Sequence, residues 1–398
     1  MVVDNLLAGE AMTSIETYHP KLVEPRSAYF HVPFCRHRCG YCNFSLVANR
    51  DYLIDRYLDA LAVEVAWLPQ RYVLDTLFLG GGTPTHLDER QLQRLFSIVD
   101  SKFDWSAAEV TSEANPSDLV APKVEVLAKL GVNRFSLGVQ SFSAEKLRFL
   151  ERDHDAEGVR RAVDLIKQHV ANFSLDLIFA TQGETLKDWQ NDLENAVSLQ
   201  PAHLSTYELT IEKGTQFWNR ERAGEQVQAG EELRAEMYEL TIDYLDEHSY
   251  PQYEISSFAA DQHRCRHNLI YWSGDPYFAF GAGASRFVDR VRQTNHGSVT
   301  SYIKRIESGI SPANQSERLA PLASAIERLV IGLRMIDGVD KVEFARAAGF
   351  EVDKLVGQAV EKLREHDLIK STADRIQLTR RGILLYDSVA TMLLEQHV

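Results

Sequence analysis

Six short apolar runs alternate with six amphipathic stretches between Ser27 and Phe258, and this alternation constrains the fold more than any other feature. It is typical of parallel strands joined by covering helices. Six units are too few for a closed eight-stranded barrel, so the sequence predicts an open, partial (β/α)6 barrel. The predicted strands are 28–32, 75–79, 108–113, 134–139, 173–179 and 203–208. The predicted helices lie near 51–67, 88–100, 117–130, 155–169, 185–199 and 230–247.

Three of these helices begin next to a residue that favours a helix start. Asp88, Ser117 and Thr185 stand just before or at the first helical residues. Their side-chain oxygens can accept a hydrogen bond from the free N–H groups of the first turn. We therefore expect a side-chain cap at each of the three.

Three cysteines lie within eight residues directly after the first predicted strand, at Cys35, Cys39 and Cys42. Three thiolates on one loop can bind three irons of a 4Fe-4S cubane and leave the fourth iron open to another ligand. A tetrahedral Zn²⁺ site is the alternative. Its fourth ligand would come from His31, His37 or Cys265. A disulfide framework is not expected in a long chain with an odd cysteine triplet on one loop.

Small or polar residues stand at the carboxyl end of each predicted strand, where barrel enzymes place their sites. Asp176 lies inside an apolar strand and needs a partner, because burying a lone carboxylate costs several kcal/mol. Arg152 or the hydroxyls of a ligand would satisfy it. The other strand ends carry the cysteine loop, Gly80-Gly81-Gly82-Thr83-Pro84-Thr85, Glu113-Ala114-Asn115-Pro116, Gly138-Val139-Gln140-Ser141 and Tyr207-Glu208.

Composition excludes several classes of function. The formal net charge of −14 over 398 residues argues against broad binding to nucleic acid or to an anionic membrane surface. No stretch approaches the ~20 apolar residues of a membrane span. The first 25 residues resemble neither a secretory signal nor a transit peptide, so we expect a loose N-terminal extension and a reducing, cytoplasmic location.

Taken together, the motifs resemble those of radical S-adenosylmethionine (radical SAM) proteins. The resemblance rests on Cys35-x-x-x-Cys39-x-x-Cys42 with Tyr41 before the last cysteine, and on Gly81-Gly82-Thr83-Pro84, Glu113-Ala114-Asn115-Pro116 and Gly138-Val139-Gln140-Ser141-Phe142. It runs over nearly the whole chain from Tyr29. Within that superfamily the chain is similar to the coproporphyrinogen III dehydrogenase group, and most closely to its HemW branch of heme chaperones.

The resemblance implies two cofactors and a set of contacts. A 4Fe-4S cluster would lie on the three cysteines, with S-adenosylmethionine chelating the open iron. Glu113 would pair with the ammonium of the methionine moiety, Arg152 with its carboxylate and Asp176 with the ribose hydroxyls, while Gly81 and Gly82 would leave room for it. The full set of implied S-adenosylmethionine contacts is Tyr29, Tyr41, Gly81, Gly82, Thr83, Glu113, Gln140, Arg152 and Asp176.

Two departures separate this chain from the dehydrogenases. Phe44 stands where they carry another cysteine, and the first strand begins after only about 27 residues, whereas they have a longer N-terminal region. His267-Asn268-Leu269-Ile270-Tyr271-Trp272 resembles the His-Asn-x-x-Tyr-Trp element of HemW proteins. Imidazole is a common axial ligand of heme iron, so His267 is the expected heme ligand, with Cys265 as a competing thiolate. A structural histidine in an aromatic core is the alternative.

The resemblance implies a heme chaperone that delivers heme to apo-hemoproteins such as respiratory enzymes, without dehydrogenase activity. Peripheral contact with a membrane stays open. Coproporphyrinogen III dehydrogenase is the alternative function, and a regulatory zinc or cluster protein is the third. Relatives also show Gly-Leu-Pro-Gly-Gln-Thr after strand five, where this chain has Ala180-Thr181-Gln182-Gly183-Glu184-Thr185.

The character of the sequence shifts from about Ser311. Helices are predicted at 325–336, 342–348 and 352–366, followed by a hairpin at 368–378, which together resemble a winged helix. Acidic residues among its basic ones argue against DNA binding and favour a lid or a docking surface. The expected divisions are an N-terminal extension (1–26), a radical SAM barrel (27–260), a connecting segment (261–310) and a small C-terminal α-rich domain (311–398).

Overall fold

The computed structural model describes residues 23–395, so most of the predicted N-terminal extension lies outside the described residues. Its largest element is a nine-stranded sheet with the order β7-β8-β6-β5-β4-β3-β2-β1-β9. The strands are β1 (Ser27–Val32), β2 (Thr76–Gly81), β3 (Glu109–Ala114), β4 (Arg134–Gln140), β5 (Phe173–Phe179), β6 (His203–Glu208), β7 (Gln252–Glu254), β8 (Ser257–Ala259) and β9 (Phe278–Phe280).

The six predicted strands are confirmed as β1 to β6, and neighbours among them pair in parallel. The partial barrel is therefore confirmed. Three short strands were not predicted. β9 pairs in parallel with β1 at one edge, whereas β8 pairs antiparallel with β6 and with β7 at the other edge. At three residues each, such strands leave little periodic signal in a sequence.

Helices follow the parallel strands as predicted. The helices of the described chain are α1 (Ile54–Ala66), α2 (Glu89–Asp100), α3 (Ala121–Lys129), α4 (Ala144–Phe149), α5 (Ala156–Lys167), α6 (Leu186–Ser198), α7 (Gln216–Arg222), α8 (Glu231–Glu247), α9 (Arg266–Ser273), α10 (Val299–Glu307), α11 (Pro321–Gly332), α12 (Lys341–Ala348), α13 (Val352–Glu365), α14 (Arg380–Leu384) and α15 (Tyr386–Glu395). Within residues 23–395, none has both the length and the hydropathy that a membrane crossing needs.

Two of the three predicted caps are confirmed. Asp88 accepts from the Gln91 backbone N–H, and Thr185 accepts from the Asp188 N–H, each within a reciprocal capping box. The prediction for Ser117 is wrong, because a short 3₁₀ turn intervenes and α3 begins only at Ala121. The Ser117 hydroxyl donates instead to the Asp153 carboxylate.

Two compact units make up the described chain. The larger comprises Glu24–Ile270 and Asp275–Arg318, and it includes a second, antiparallel sheet of β10 (Ser285–Val288), β11 (Val291–Asn295) and β12 (Ala313–Arg318). Two-residue strands also pair at 34–35 with 47–48 and at 72–73 with 103–104. The expected domain boundaries stay predictions.

The smaller unit holds residues 319–395 of the described chain together with Tyr271–Gly274. Its helices α11 to α15 pack around an apolar core that includes Leu329, Val356 and Leu363. Strands β13 (Val339–Asp340), β14 (Ile369–Ser371) and β15 (Arg375–Leu378) form its small antiparallel sheet. The three predicted helices and the hairpin are present and give the winged-helix-like arrangement, although α11 begins and ends four residues earlier than the predicted 325–336.

Alternation along the strands decides which side chains face the barrel interior. In β5, Leu175 and Leu177 are fully buried on the side of the covering helices. Asp176 and Ile178, between and beyond them, line a cavity inside the barrel. Because successive strand residues point to opposite faces, one polar residue can reach the interior of an otherwise apolar strand.

Candidate functional site

The carboxyl ends of β1 to β6 converge on one cavity. Its volume is about 400 Å³, within the usual range of about 300–1,000 Å³ for small-ligand sites. The lining includes the three loop cysteines and eight of the nine side chains or glycines expected to contact S-adenosylmethionine. The eight are Tyr41, Gly81, Gly82, Thr83, Glu113, Gln140, Arg152 and Asp176.

The cysteine loop is held at the cavity by polar contacts. The Cys35 Sγ lies 3.3 Å from the Thr83 hydroxyl, and the Cys39 Sγ lies 3.6 Å from Nη1 of Arg152. Burial raises the pKa of the Cys35 thiol to about 12, and burial also raises the pKa of Cys42. These thiols are therefore protonated at neutral pH until a metal displaces their protons.

The arrangement of donors fits a cubane cluster better than one zinc ion. A zinc ion needs four donors around one point, whereas a cubane takes each thiolate at a different iron. Three separate cysteines lining one cavity therefore fit the cluster.

Tyr29 does not line this cavity, because its hydroxyl is hydrogen-bonded to the nearby His31. The Tyr29 hydroxyl lies 3.0 Å from His31 Nδ1, and His31 Nε2 lies 2.7 Å from the carbonyl oxygen of Ser45. A neutral ring that donates from Nε2 accepts at Nδ1, so Tyr29 donates. Tyr29 thus supports His31, which holds the chain just beyond the cysteine loop against β1. Its contact with S-adenosylmethionine stays a prediction.

Gly81, the last residue of β2, and Gly82 after it allow neighbouring parts of the protein to pack closely. A Cβ on Gly81 would lie 2.3 Å from the His31 ring, and Gly81 has a φ of +109°. A Cβ on Gly82 would lie 2.7 Å from the carbonyl oxygen of Val32. Both positions line the cavity, but their missing side chains make room for His31 and the β1 backbone. Room for a ligand was the expected reason.

Glu113, near the end of β3, is a buried carboxyl group of the cavity with a raised pKa. Its Oε2 accepts a hydrogen bond of 2.9 Å from the Gly81 backbone N–H. Burial raises the pKa of Glu113, the bond from Gly81 opposes this rise and the nearby Asp176 charge adds to it, which places the pKa at about 7. A buried carboxylate of this kind gains from a cationic partner.

Arg152 lies between the cysteine loop and β4. Its Nη2 donates to the Gly138 carbonyl at 2.8 Å and to Oδ1 of Asn115 at 3.1 Å. Its Nε is buried, and no hydrogen-bond acceptor pairs with it in residues 23–395. A guanidinium with a free buried donor at a cavity wall suits a carboxylate ligand.

Asp176 is satisfied by serines. Ser136 Oγ lies 2.9 Å from its Oδ2, and Ser174 Oγ lies 3.4 Å from its Oδ1. Burial raises the pKa of Asp176, whereas bonds from Ser205 and Ser136 and the Arg134 charge oppose that rise. The expected pairing with Arg152 is not observed, since Arg152 contacts Asn115 and Gly138 instead.

Several cavity residues were not among the predicted contacts. Ser136, Asn115 and Tyr207 line the cavity with the others. Ser136 could have been found, because it precedes Gly138 and Gln140 by two and four residues on the same face of β4. Asn115 lies in a recognised motif, but its role towards Arg152 needs a three-dimensional contact.

His267 lies away from the cavity, at the opposite end of the strands. It is 1 % exposed, its Nδ1 is 2.7 Å from the hydroxyl of Thr76, the first residue of β2, and its ring stacks on Phe78. Burial lowers the pKa of His267 to about 3. Cys265 is also fully buried, with its Sγ beside Glu109. The structure thus places His267 in an aromatic core, and its role as heme ligand stays a prediction.

Comparison with known proteins gives matches to both parts of the chain. Residues 29–196 match the model of the radical SAM superfamily, and residues 319–385 match the HemN C-terminal domain. The protein named heme chaperone HemW of Bacillus subtilis (strain 168) is 37% identical over 371 residues, covering 92% of this chain and 98% of that protein. The Escherichia coli (strain K12) protein of the same name is 32% identical, covering 94% and 99%. The chain belongs to the HemW family of radical SAM proteins.

Members of the HemW family share the radical SAM cofactors, a 4Fe-4S cluster and S-adenosylmethionine. Among solved structures, this HemW family member resembles coproporphyrinogen III oxidase (HemN) from Escherichia coli, with a TM-score of 0.82 and 20% identity, covering 96% of this chain and 92% of that one. At that identity the likeness shows the fold alone. The expected fold class and family are confirmed.

Proposed function

We propose that this protein is a heme chaperone, which binds heme and passes it to apo-hemoproteins. The observation that carries the proposal is Phe44. Its side chain is 57% exposed and lines the cavity, two residues past the third cysteine, where the dehydrogenases carry another cysteine. An apolar ring there supplies no thiolate for redox chemistry, while the rest of the radical SAM site is retained. The names of the HemW relatives support the same function.

Cys35, Cys39 and Cys42 are the residues that we propose as cluster ligands. The cluster would supply an open coordination position at which S-adenosylmethionine could bind. The protein holds the loop in place through Thr83 and Arg152, whose polar atoms lie beside Cys35 and Cys39. Donors beside a thiolate stabilise its negative charge and thus support metal binding.

Three side chains would orient S-adenosylmethionine in this cavity. Glu113 would accept from the amino group, and the free Nε of Arg152 would donate to the carboxylate. Asp176, which already accepts from serines, keeps acceptor capacity for ribose hydroxyls. Glu113 on β3, Arg152 in the loop before α5 and Asp176 on β5 thus offer an acid, a guanidinium and an acceptor to the three polar ends of this ligand.

His267 is the heme ligand that the family resemblance favours, and its buried place sets a condition on that role. The ring would have to leave Thr76 and Phe78 before iron could bind. Heme titration of His267→Ala tests the assignment, with Cys265→Ala as the matched variant. An unchanged heme spectrum and affinity in His267→Ala would remove the assignment, and a change confined to Cys265→Ala would transfer it to the thiolate.

The decisive experiment for the function compares chaperone and dehydrogenase activity. The anaerobically reconstituted protein is incubated with coproporphyrinogen III, S-adenosylmethionine and reductant, and decarboxylated porphyrin is quantified. We expect no multiple-turnover product, and we expect heme transfer to an apo-hemoprotein in a parallel assay. Repeated turnover would establish the alternative function, coproporphyrinogen III dehydrogenase, despite Phe44.

Respiratory enzymes are the proposed class of heme acceptor, and peripheral contact with their membrane would bring donor and acceptor together. A cytoplasmic location stays a prediction. Transfer assays with an apo-form of a membrane-bound cytochrome and an apo-form of a water-soluble hemoprotein test the acceptor class. Equal transfer to both would contradict a preference for respiratory enzymes.

A further inference from the structure

A chain of hydrogen bonds runs through the barrel interior from Asp176 towards the other end of the strands. Ser174 Oγ is 3.4 Å from Asp176 Oδ1 and 2.9 Å from His203 Nδ1. His203 Nε2 is 2.9 Å from the Tyr253 hydroxyl, which is 3.2 Å from the backbone nitrogen of Cys265. The chain thus joins the cavity to the residue before α9.

Each of the four intermediate or terminal groups beyond Asp176 is shielded from water. Ser174, His203 and Cys265 are 0 % exposed, and Tyr253 is 1 % exposed. In such surroundings an unmade hydrogen bond is not replaced by one to solvent, so removing one member leaves its neighbours unsatisfied. A buried chain therefore transmits the loss of a partner better than an exposed one.

The donors and acceptors of this chain have one consistent direction when Asp176 is ionised. The carboxylate can only accept, so Ser174 donates to it, and the Ser174 oxygen then accepts from His203 Nδ1–H. His203 Nε2 is left as the acceptor of the Tyr253 hydroxyl. The Tyr253 oxygen accepts from the Cys265 backbone N–H. Every hydrogen bond thus points towards the Asp176 carboxylate.

The far end of the chain lies at the first turn of α9. The backbone N–H groups of Arg266 and His267 donate to the Glu109 carboxylate at 3.2 and 3.1 Å, next to the bond from Cys265 to Tyr253. The Arg134 guanidinium is buried among these groups, and its charge opposes the burial-driven rise of the pKa of both Asp176 and Cys265. Both ends of the chain therefore share one buried positive charge.

We infer that this chain couples ligand binding at Asp176 to the ordering of the first turn of α9, with His203 and Tyr253 as positioning residues. The inference rests on the proposed binding of S-adenosylmethionine by Asp176. A ligand hydroxyl that donates to Asp176 fixes the carboxylate, and the aligned donors behind it then hold the Cys265 backbone. Because such coupling is reciprocal, a change that loosens the first turn of α9 lowers the affinity for the ligand by the factor by which the ligand favours the ordered turn.

The first test measures S-adenosylmethionine affinity of the cluster-reconstituted protein by calorimetry. Tyr253→Phe removes one hydroxyl from the chain and keeps the ring. We expect an affinity about fivefold weaker, at the lower end of coupling between distant sites. Tyr250→Phe is the matched control, because the Tyr250 hydroxyl is also buried but donates to the Pro201 carbonyl outside the chain. An equal loss in both variants would overturn the inference.

Hydrogen exchange gives a readout that general destabilisation does not move. Adding S-adenosylmethionine should slow amide exchange in residues 265–267 of the original protein and of Tyr250→Phe, and should fail to do so in Tyr253→Phe. Binding without any change at 265–267 would refute the coupling and leave the proposed ligand site intact. A failure to bind at all would overturn both.

A double-mutant cycle separates the chain from the other support of Asp176. Ser174→Ala and Tyr253→Phe cut the same chain, so the second substitution should weaken the affinity little after the first. Ser136→Ala removes a donor to Asp176 outside the chain, and its effect should combine with that of Tyr253→Phe multiplicatively, within about twofold. Multiplicative effects in both cycles would contradict a connected chain.

Discussion

The Gly81 backbone N–H donates to Glu113 Oε2 over 2.9 Å, across the carboxyl ends of the paired strands β2 and β3. This contact supports the carboxylate, yet burial still raises the pKa of Glu113 to about 7. The acid is therefore partly protonated at neutral pH. A positively charged or amino-bearing ligand end shifts Glu113 to the ionised form. Without such a ligand, the buried ionised carboxylate lowers the stability of the fold.

The affinity for S-adenosylmethionine should depend on pH through Glu113. Below about pH 7 the acid must lose its proton before it can accept from the amino group, so affinity should fall up to tenfold per pH unit. Glu113→Gln should weaken binding at pH 8 and flatten the profile near pH 7. Calorimetric titrations between pH 6 and 8.5 measure this. A profile that stays as steep in Glu113→Gln would contradict the assignment.

The same substitution should stabilise the fold. Folding raises the pKa of this acid, so its ionisation destabilises the protein progressively as pH rises from about 4.5 through 7. Glutamine mimics the protonated acid. We expect the free energy of unfolding of Glu113→Gln to exceed that of the original protein by about 1–3 kcal/mol at pH 8, with the difference vanishing towards pH 4.5. Urea unfolding at both pH values measures it.

Cluster loading should depend on three of the four cysteines. Single changes of Cys35, Cys39 or Cys42 to Ser should abolish most bound iron and sulfide and the brown colour after reconstitution, because each removes the only protein ligand to one iron. Cys265→Ser is the control, since Cys265 is buried away from the cavity. Loss of iron in Cys265→Ser alone, or full zinc content in the original protein, would favour the zinc alternative.

The six parallel strands could be predicted to within about two residues because their apolar runs are long enough to show a period. Asp176 could be predicted as a site residue because an acid in an apolar strand needs a reason. The places of Tyr29 and His267 could not, although both belong to recognised motifs. Their positions depend on individual side-chain contacts, Tyr29 with His31 and His267 with Thr76. The apolar pattern of the sequence does not show such contacts.

A buried ion cluster links the segments that follow β4 and β5. Lys146 contacts the Glu184 carboxylate and lies 3.1 Å from Asp192, and all three are nearly fully buried. Asp192 also accepts from the Ser141 hydroxyl and the Phe142 N–H. Glu184 and Asp192 thus place two acids beside the buried Lys146.

Removing the lysine should leave two buried carboxylates unpaired. We expect Lys146→Met to lower the free energy of unfolding by about 3–5 kcal/mol. Lys129→Met is the control, because Lys129 pairs with Glu125 on the surface, where solvent screens the pair and its loss changes stability little. Urea unfolding of both variants at pH 7 decides. If the free energy of unfolding falls no more in Lys146→Met than in Lys129→Met, water must reach and solvate the two carboxylates.

The buried ring of His267 should make the protein sensitive to mild acid. Folding lowers its pKa from 6.5 to about 3, so the unfolded chain binds a proton below pH 6.5 that the folded chain does not. The stability that His267 contributes as a neutral ring is therefore lost as pH falls from about 6.5 towards 3. Between pH 6.5 and 5 this amounts to about 2 kcal/mol.

Replacing His267 by Asn removes this titration while keeping a polar group near Thr76. We expect the free energy of unfolding of His267→Asn to fall less between pH 6.5 and 5, by about 2 kcal/mol, although its value at pH 7.5 is lower because the stacking on Phe78 is lost. His248→Asn is the control, since His248 lies on the surface. Equal pH slopes in all three proteins would mean that His267 is already accessible to water, as a ring ready to bind heme iron would be.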